Sequence, residues 1–289
     1  MIVSDLYDLY SKGGVIEVIR GLIRFGYYQT PARSIRRNRI LQTNEATLKC
    51  TVDGVSAKFH ITNSTEFDRF DTIGGLDNLS EEKILRELLK TLSEDDIFFD
   101  IGANVGLYTC MVGKKLSMGQ VHAFEPHPSN FERLRDNVTT NNISDRVVLH
   151  KYALSDKNGE FDLSVQKSSA PAQGAHSLVS ESDIGETVKV TTYKADERVE
   201  SDLPTPDVIK IDVEGAELRV LRGFEESLIK NTPKIFCEIH TDRLEEDGAS
   251  EEELIEYLSD IGYDVTELYE RSDKTKFIKA IASEVSGSD

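Results

Sequence analysis

Carboxylates gather where apolar runs end. Asp100 stands within Ile97–Ile101 (I-F-F-D-I), and Glu125 follows Gln120–Phe124 (Q-V-H-A-F). Asp212 and Glu214 follow Asp207–Ile211 (D-V-I-K-I), and Glu238 leads into His240 at the close of Lys234–Ile239. If these runs are strands of one open α/β sheet, their carboxyl ends share a rim, and such sheets bind ligands there. A carboxylate on that rim can accept from both hydroxyls of a ribose. A carboxylate or imidazole can take a proton from a reacting hydroxyl. Carboxylate oxygens together can also hold a divalent cation.

The first run sets the frame. Four of the five residues of Ile97–Ile101 are apolar, as in a strand buried on both faces. Gly102, Ala103, Asn104 and Gly106 follow, and Gly and Asn tolerate positive φ where a backbone turns beside a ligand. A helical stretch from about Val105 to Lys115 completes a strand–turn–helix unit. Glu125, next to Pro126, lies about 20 residues beyond the turn at the end of the second strand, where a ribose diol is gripped. A dinucleotide site calls for G-x-G-x-x-G, but Asn104 replaces the middle glycine, and no Lys or Arg lies between Ile97 and Gly113 to meet phosphates. S-adenosyl-L-methionine carries a ribose, an adenine and a sulfonium cation without phosphate, and suits an acidic turn better.

The motifs D-I-G-A-N-V-G (Asp100–Gly106), A-F-E-P (Ala123–Pro126), K-I-D-V-E-G-A-E (Lys210–Glu217) and E-I-H (Glu238–His240) resemble the FkbM family of methyltransferases in order and spacing. The resemblance covers roughly Ile97 to His240. It implies a Rossmann-like, doubly wound α/β fold with a seven-stranded, mostly parallel sheet, order 3-2-1-4-5-7-6, strand 7 antiparallel. It also implies S-adenosyl-L-methionine-dependent O-methyl transfer to a hydroxyl or carboxyl of a small molecule, sugar or glycan. Asp100, Gly102, Ala103, Asn104, Gly106, Glu125, Pro126, Ala153 and Asp212 are the expected cofactor-binding residues. Backbone near Ala153, or Asp156, is placed to bond the adenine amine. The alternatives are an NAD-type Rossmann oxidoreductase and a non-catalytic cofactor-binding partner subunit.

Methyl transfer to oxygen is an in-line displacement that needs an aligned, deprotonated nucleophile. Asp212, Glu214 and His240 are the expected catalytic residues. Asp212 should face the methionine end of the cofactor and orient the acceptor hydroxyl or take its proton, or else cap the following helix. Glu214 and Glu217 share a helix face and could bind acceptor, or complement the helix dipole. His240, with an ordinary pKa of about 6.5, is a natural base. The rim shows no diagnostic metal-ligand spacing, so no metal is expected.

The remaining elements follow from periodicity. Ser80 opens a helix to about Leu92; residues 128–140 and 250–261 are helical; Val147–Tyr152, Gly159–Val165, Thr187–Tyr193, Asp264–Tyr269 and Phe277–Ala282 read as strands. Ahead of these, residues 1–78 form an extension with a helix over 1–29 and short strands at 46–51, 55–62 and 66–71. Residues 79–289 form the main domain. Between Val15 and Ile40 six arginines face one acid, Glu17. Such a segment either packs on the acidic body or a partner subunit through its arginines, or lies on an anionic membrane. Residues 166–187 lack apolar content and sit where a lid over the acceptor would be.

With 34 basic and 52 acidic residues the net charge is −18, which excludes nucleic acid as the expected partner. Three scattered cysteines form no C-x-x-C pair, so neither a zinc site nor a disulfide framework is expected. No signal-peptide pattern or long apolar run stands out, and a cytoplasmic protein, oligomeric or peripheral to a membrane through residues 15–40, is the expectation.

Overall fold

The structure is a computed structural model, and it describes residues 10, 15, 18–19, 22–23, 26–28, 30–43, 47–73, 79–165, 176–177, 186–272 and 274–283. The chain divides into two compact units, Met1–Arg86 and Glu87–Asp289.

In the first unit, α1 (Pro31–Leu41) precedes a hairpin of β1 (Thr47–Val52) and β2 (Val55–His60). Asp53 and Gly54 both have positive φ, as a two-residue hairpin turn requires. Residues 66–71, expected as a strand, lie in the helix α2 (Ser64–Thr72). The Asn63 side chain accepts from the Glu66 N–H at 2.9 Å, and Glu66 reaches back to the Thr62 N–H at 2.8 Å. Phe67 and Phe70, three apart, are both buried, which is helical rather than strand spacing. Arg33 and Arg36 pair with Asp71, and Arg33 and Arg37 with Asp68. Arginine pairing with acidic residues was one of the two readings of this segment. Val15, Ile19, Leu22 and Ile23 are exposed, and most of the expected helix over 1–29 lies outside the described residues.

The unit boundary falls inside α3 (Leu79–Thr91), not ahead of it. The early turns of α3 are tied to the first unit: Glu81 binds Arg69 at 2.6 Å, and Arg86 pairs with Asp53. Its last turn belongs to the second unit, where Lys279 reaches Glu87 at 2.8 Å and the Thr91 hydroxyl at 3.2 Å.

The second unit continues with β3 (Ile97–Ile101), α4 (Leu107–Lys115), β4 (Gln120–Phe124), α5 (Pro128–Thr140), β5 (Val147–His150), β6 (Ala153–Ser155), β7 (Gly159–Val165), β8 (His176–Ser177) and β9 (Glu186–Lys194). Then come α6 (Ala195–Ser201), β10 (Val208–Ile211), α7 (Glu217–Gly223), α8 (Glu225–Asn231), β11 (Lys234–His240), α9 (Thr241–Glu246), α10 (Glu251–Asp260), β12 (Tyr263–Ser272) and β13 (Thr275–Ala282). Seven strands make the main sheet, in the order β12-β13-β11-β10-β3-β4-β5. The run β11-β10-β3-β4-β5 is parallel, whereas β13 is antiparallel to both β11 and β12. A seven-stranded mixed α/β sheet was expected. A second sheet, β6-β9-β7-β8, holds β7 and β9, both expected as strands, and pairs them antiparallel. Apart from His176–Ser177, residues 166–185 lie outside the described residues, and with them the expected lid.

The core packs against the main sheet. Phe99, Ile101, Phe124, Ile209, Ile211, Leu221, Phe224, Ile235 and Ile239 are all buried in one cluster. Each such side chain contributes about 1.5–3 kcal/mol on leaving water. Phe98, Val121, Val208 and Phe236, which point to the opposite face, are buried as well, and burial on both faces explains why the parallel strands read as unbroken apolar runs and holds their carboxyl ends in a fixed row. No helix among the described residues is long and apolar enough to cross a membrane.

Candidate active site at the strand ends

The turn after β3 is built backbone to backbone. The Gly102 and Ala103 N–H groups both donate to the Phe124 carbonyl at 3.0 Å, and the Asp212 N–H donates to the Ile101 carbonyl at 3.0 Å. Gly102 has φ +76°, and a Cβ there would lie 1.8 Å from the Asp212 carbonyl oxygen. Only glycine fits where the β3 and β10 ends approach so closely. Asn104 also has positive φ, at 52°. Its N–H points at Glu125 and donates to Oε2 at 2.8 Å, while the His127 N–H donates to Oε1 at 2.9 Å.

Glu125 is thus fixed by two backbone donors, and an Asn130 side-chain hydrogen bond adds to them. Burial pushes its carboxyl up to about 7, against those hydrogen bonds and the Lys210 charge, which pull it down. Around it lies a cleft with about 600 Å³ of space, including its open mouth, lined by Ile101, Gly102, Asn104, Glu125, Pro126, Asn130, Ala153, Leu154, Leu163, Asp212, Val213 and Glu214. Acceptor groups from Glu125, Asp212 and Glu214 face an apolar wall of Ile101, Ala153, Leu154 and Leu163. That combination suits a nucleoside.

Gly102, Asn104, Glu125, Pro126, Ala153, Asp212 and Glu214 therefore line one cleft. Asp100, Ala103 and Gly106 do not line it. Asp100 is fully buried, accepting from the Thr109 hydroxyl at 2.5 Å and facing Lys210 at 3.4 Å, because it lies inside β3 directly opposite Lys210 on β10. Ala103 is buried beneath the turn, and its carbonyl accepts from the Gly106 N–H at 2.8 Å. Gly106 starts α4 at φ +89°, where a Cβ would meet Leu134 at 2.5 Å, so it serves packing. Asp156 does not line the cleft either; it accepts from the Ser155 hydroxyl at 3.0 Å.

Reading by residue type missed Lys210. It is 2 % exposed, and its ammonium donates to the Gly102 carbonyl at 3.1 Å and lies 3.4 Å from both Asp100 and Asp212. Burial pulls its pKa down, but Asp212, Asp100 and Glu238 outweigh it and the net shift is upward. A charged residue inside the four-residue buried strand V-I-K-I was the available signal. Asn130, in the first turn of α5, was also missed, and its sequence context gave no comparable signal.

Both ring nitrogens of His240, expected as a base, face carboxylates. Its Nδ1 bonds the fully buried Glu217 at 3.0 Å, and its Nε2 is 3.4 Å from Glu214. Burial lowers its pKa, but Glu217, Glu214 and Asp212 overcome this and raise it to about 10, so the ring is cationic at neutral pH. Glu214 sits at φ +57° and also pairs with Arg243. Burial raises its pKa, and neighbouring Asp212 adds to the effect against the His240 and Arg243 charges. Left-handed backbone at a residue with a Cβ is a strain that functional sites retain. Asp212, Glu238 and His240 have ligand atoms within 4.8 Å of one another, a donor set that could hold a divalent cation. Lys210 already supplies positive charge to both of these carboxylates.

A cleft over the carboxyl ends of a largely parallel sheet, with a glycine turn on one side and a buried acid on the next strand, is where an open α/β sheet binds its ligands. Residues 100–265 match the methyltransferase FkbM domain, more than half of the chain, and the chain belongs to that family. The hexuronic acid methyltransferase AglP of Haloferax volcanii is 35% identical over 190 residues, covering 65% of this chain and 72% of that protein. The 31-O-demethyl-FK506 methyltransferase FkbM of Streptomyces tacrolimicus is 26% identical over 176 residues, 52% of this chain and 67% of that one. A crystal structure of methyltransferase FkbM from Methylobacillus flagellatus superimposes with a TM-score of 0.47 at 16% identity, covering 68% of this chain and 46% of that one. Family membership makes the protein a methyltransferase and sets aside the oxidoreductase alternative.

Proposed function

We propose that this protein is an S-adenosyl-L-methionine-dependent O-methyltransferase acting on a hydroxyl or carboxyl of a sugar, a glycan or another small molecule. The observation that carries the cofactor is Glu125, buried and locked by the Asn104 and His127 amides beside a turn whose own residues include no Lys or Arg. The acceptor class draws on the hexuronic acid methyltransferase of H. volcanii. S-adenosyl-L-methionine, when bound, supplies a methyl group on a cationic sulfur.

The chain's own residues would do the rest. The Glu125 carboxylate accepts from a ribose hydroxyl, and Ala153, Leu154 and Leu163 cover the apolar face of the base. Asp212, held by Lys210, orients the acceptor hydroxyl. Glu214 takes the hydroxyl proton: its raised pKa makes it a stronger base than an ordinary carboxylate, and it lines the cleft. His240 and Arg243 hold Glu214 in position rather than moving protons themselves. The test is incubation with methyl-labelled S-adenosyl-L-methionine and uronic-acid-bearing glycans. Label in the sugar supports the proposal; cofactor binding without transfer to these or other oxygen acceptors would favour a non-catalytic partner subunit.

A further inference from the structure

Among the described residues, two polar atoms on the cleft walls are buried without a hydrogen-bond partner: the side-chain carbonyl oxygens of Asn104 and Asn130. A buried acceptor left unpaired costs about 1–3 kcal/mol, so a native site retains one only for a reason. Asn130 is the clearer case, because the whole residue is only 2 % exposed. Its backbone N–H is 3.4 Å from the His127 ring nitrogen, and its side chain hydrogen-bonds Glu125. An amide turned the other way would set its oxygen against the Glu125 carboxylate. The orientation is therefore determined: the NH2 end holds Glu125, and the oxygen is left over.

We propose that Asn130 is a ligand-binding residue, its side-chain oxygen accepting a hydrogen bond from a ribose hydroxyl of the adenosyl group beside Glu125. This rests on the proposed cofactor. The pairing has consequences for selectivity. Glu125, Asn104 and Asn130 offer acceptors, which complement hydroxyl donors and repel the acceptor oxygens of a phosphate. Asn130 thus makes the ribose pocket read an unsubstituted diol, and it couples that reading to Glu125 through its own amide.

The experiment is calorimetric titration of the wild-type protein and Asn130→Ala with S-adenosylhomocysteine and its 2′-deoxy and 3′-deoxy analogues. Thermal melts run alongside, and Asn130→Ser takes the place of the alanine variant if that does not fold. In the wild type, deleting the hydroxyl that Asn130 accepts from should weaken binding about five- to tenfold, the size of one neutral hydrogen bond. In the variant, that penalty should largely vanish for the same hydroxyl. If both deoxy penalties are unchanged in the variant, even with overall affinity reduced, Asn130 merely supports Glu125 and the assignment is overturned. If the wild type binds no S-adenosylhomocysteine, the cofactor proposal itself falls, and this assignment with it.

Discussion

Replacing Glu125 by Gln removes one charge at nearly constant shape, and the structure gives the size of two opposing effects. The carboxyl moves from 4.5 to about 7 on burial, so keeping it ionised in the folded state costs about 3 kcal/mol. Because the folded pKa is raised, this stability contribution is fully present below pH 4.5 and is lost as pH rises through 7. The Gln variant escapes that loss. It also turns an NH2 group toward either the Asn104 or the His127 N–H, leaving a buried donor unpaired at about 1–3 kcal/mol. The two effects nearly cancel at pH 8, whereas at pH 5 only the second remains and the variant should be the less stable. Ligand binding has no such compensation. Losing a charge-assisted bond to a ribose hydroxyl, worth about 1.5–3 kcal/mol, should weaken S-adenosylhomocysteine binding about 10- to 100-fold at pH 8. Wild-type affinity should fall as pH drops below 7, while the variant's should stay flat. Calorimetric titration and urea denaturation at both pH values measure all of this. Wild-type affinity in the variant at pH 8 would refute the reasoning.

Four other outcomes follow from the same geometry. Lys210→Met leaves Asp100 and Asp212 facing each other without their shared cation, a loss of about 3–5 kcal/mol; a thermal melt should show Tm lower by roughly 10 °C, and an unchanged Tm would mean the ammonium is dispensable. Glu214→Gln should reduce turnover by about 100-fold or more while leaving calorimetric affinity for S-adenosylhomocysteine intact; wild-type turnover would remove Glu214 as the base. His122 and His150 stack and share a hydrogen bond at 3.0 Å, and burial lowers both pKa values to about 4; since the folded state resists their protonation, stability should be lost as pH falls from about 6.5 toward 4, and the His122→Gln, His150→Gln double variant should show a smaller drop in urea midpoint. Charge supplied by Lys210, Arg243 and His240 should let turnover persist after EDTA treatment; loss of activity restored by Mg²⁺ would assign Asp212, Glu238 and His240 to a metal instead.

Much of the sheet was legible because strands buried on both faces leave apolar runs, and the glycine turn and acid between them carry their own spacing. Residues 66–71 were misread because two phenylalanines three apart fit a helix, while the polar residues between them look like alternation. The cleft was half legible. Residues after a strand end, such as Glu125 and Asp212, announce themselves, but position within a strand decides between lining and burial. Asp100 has the same residue type two positions too early, so it faces Lys210 inside the sheet. Lys210 and Asn130 escaped because their roles depend on what the fold brings opposite them: a cross-strand partner for one, a neighbouring carboxylate for the other. The surroundings of His240 were illegible for the same reason: Glu214 and Glu217 arrive from another element and face its two ring nitrogens.

The most direct measurement is a crystal structure of the protein soaked with S-adenosylhomocysteine. The ribose should lie within hydrogen-bond distance of the Glu125 carboxylate, with the adenine against Ala153, Leu154 and Leu163 and the sulfur toward Asp212. Ligand bound elsewhere, or a cleft that stays empty at saturating concentration, would contradict the account.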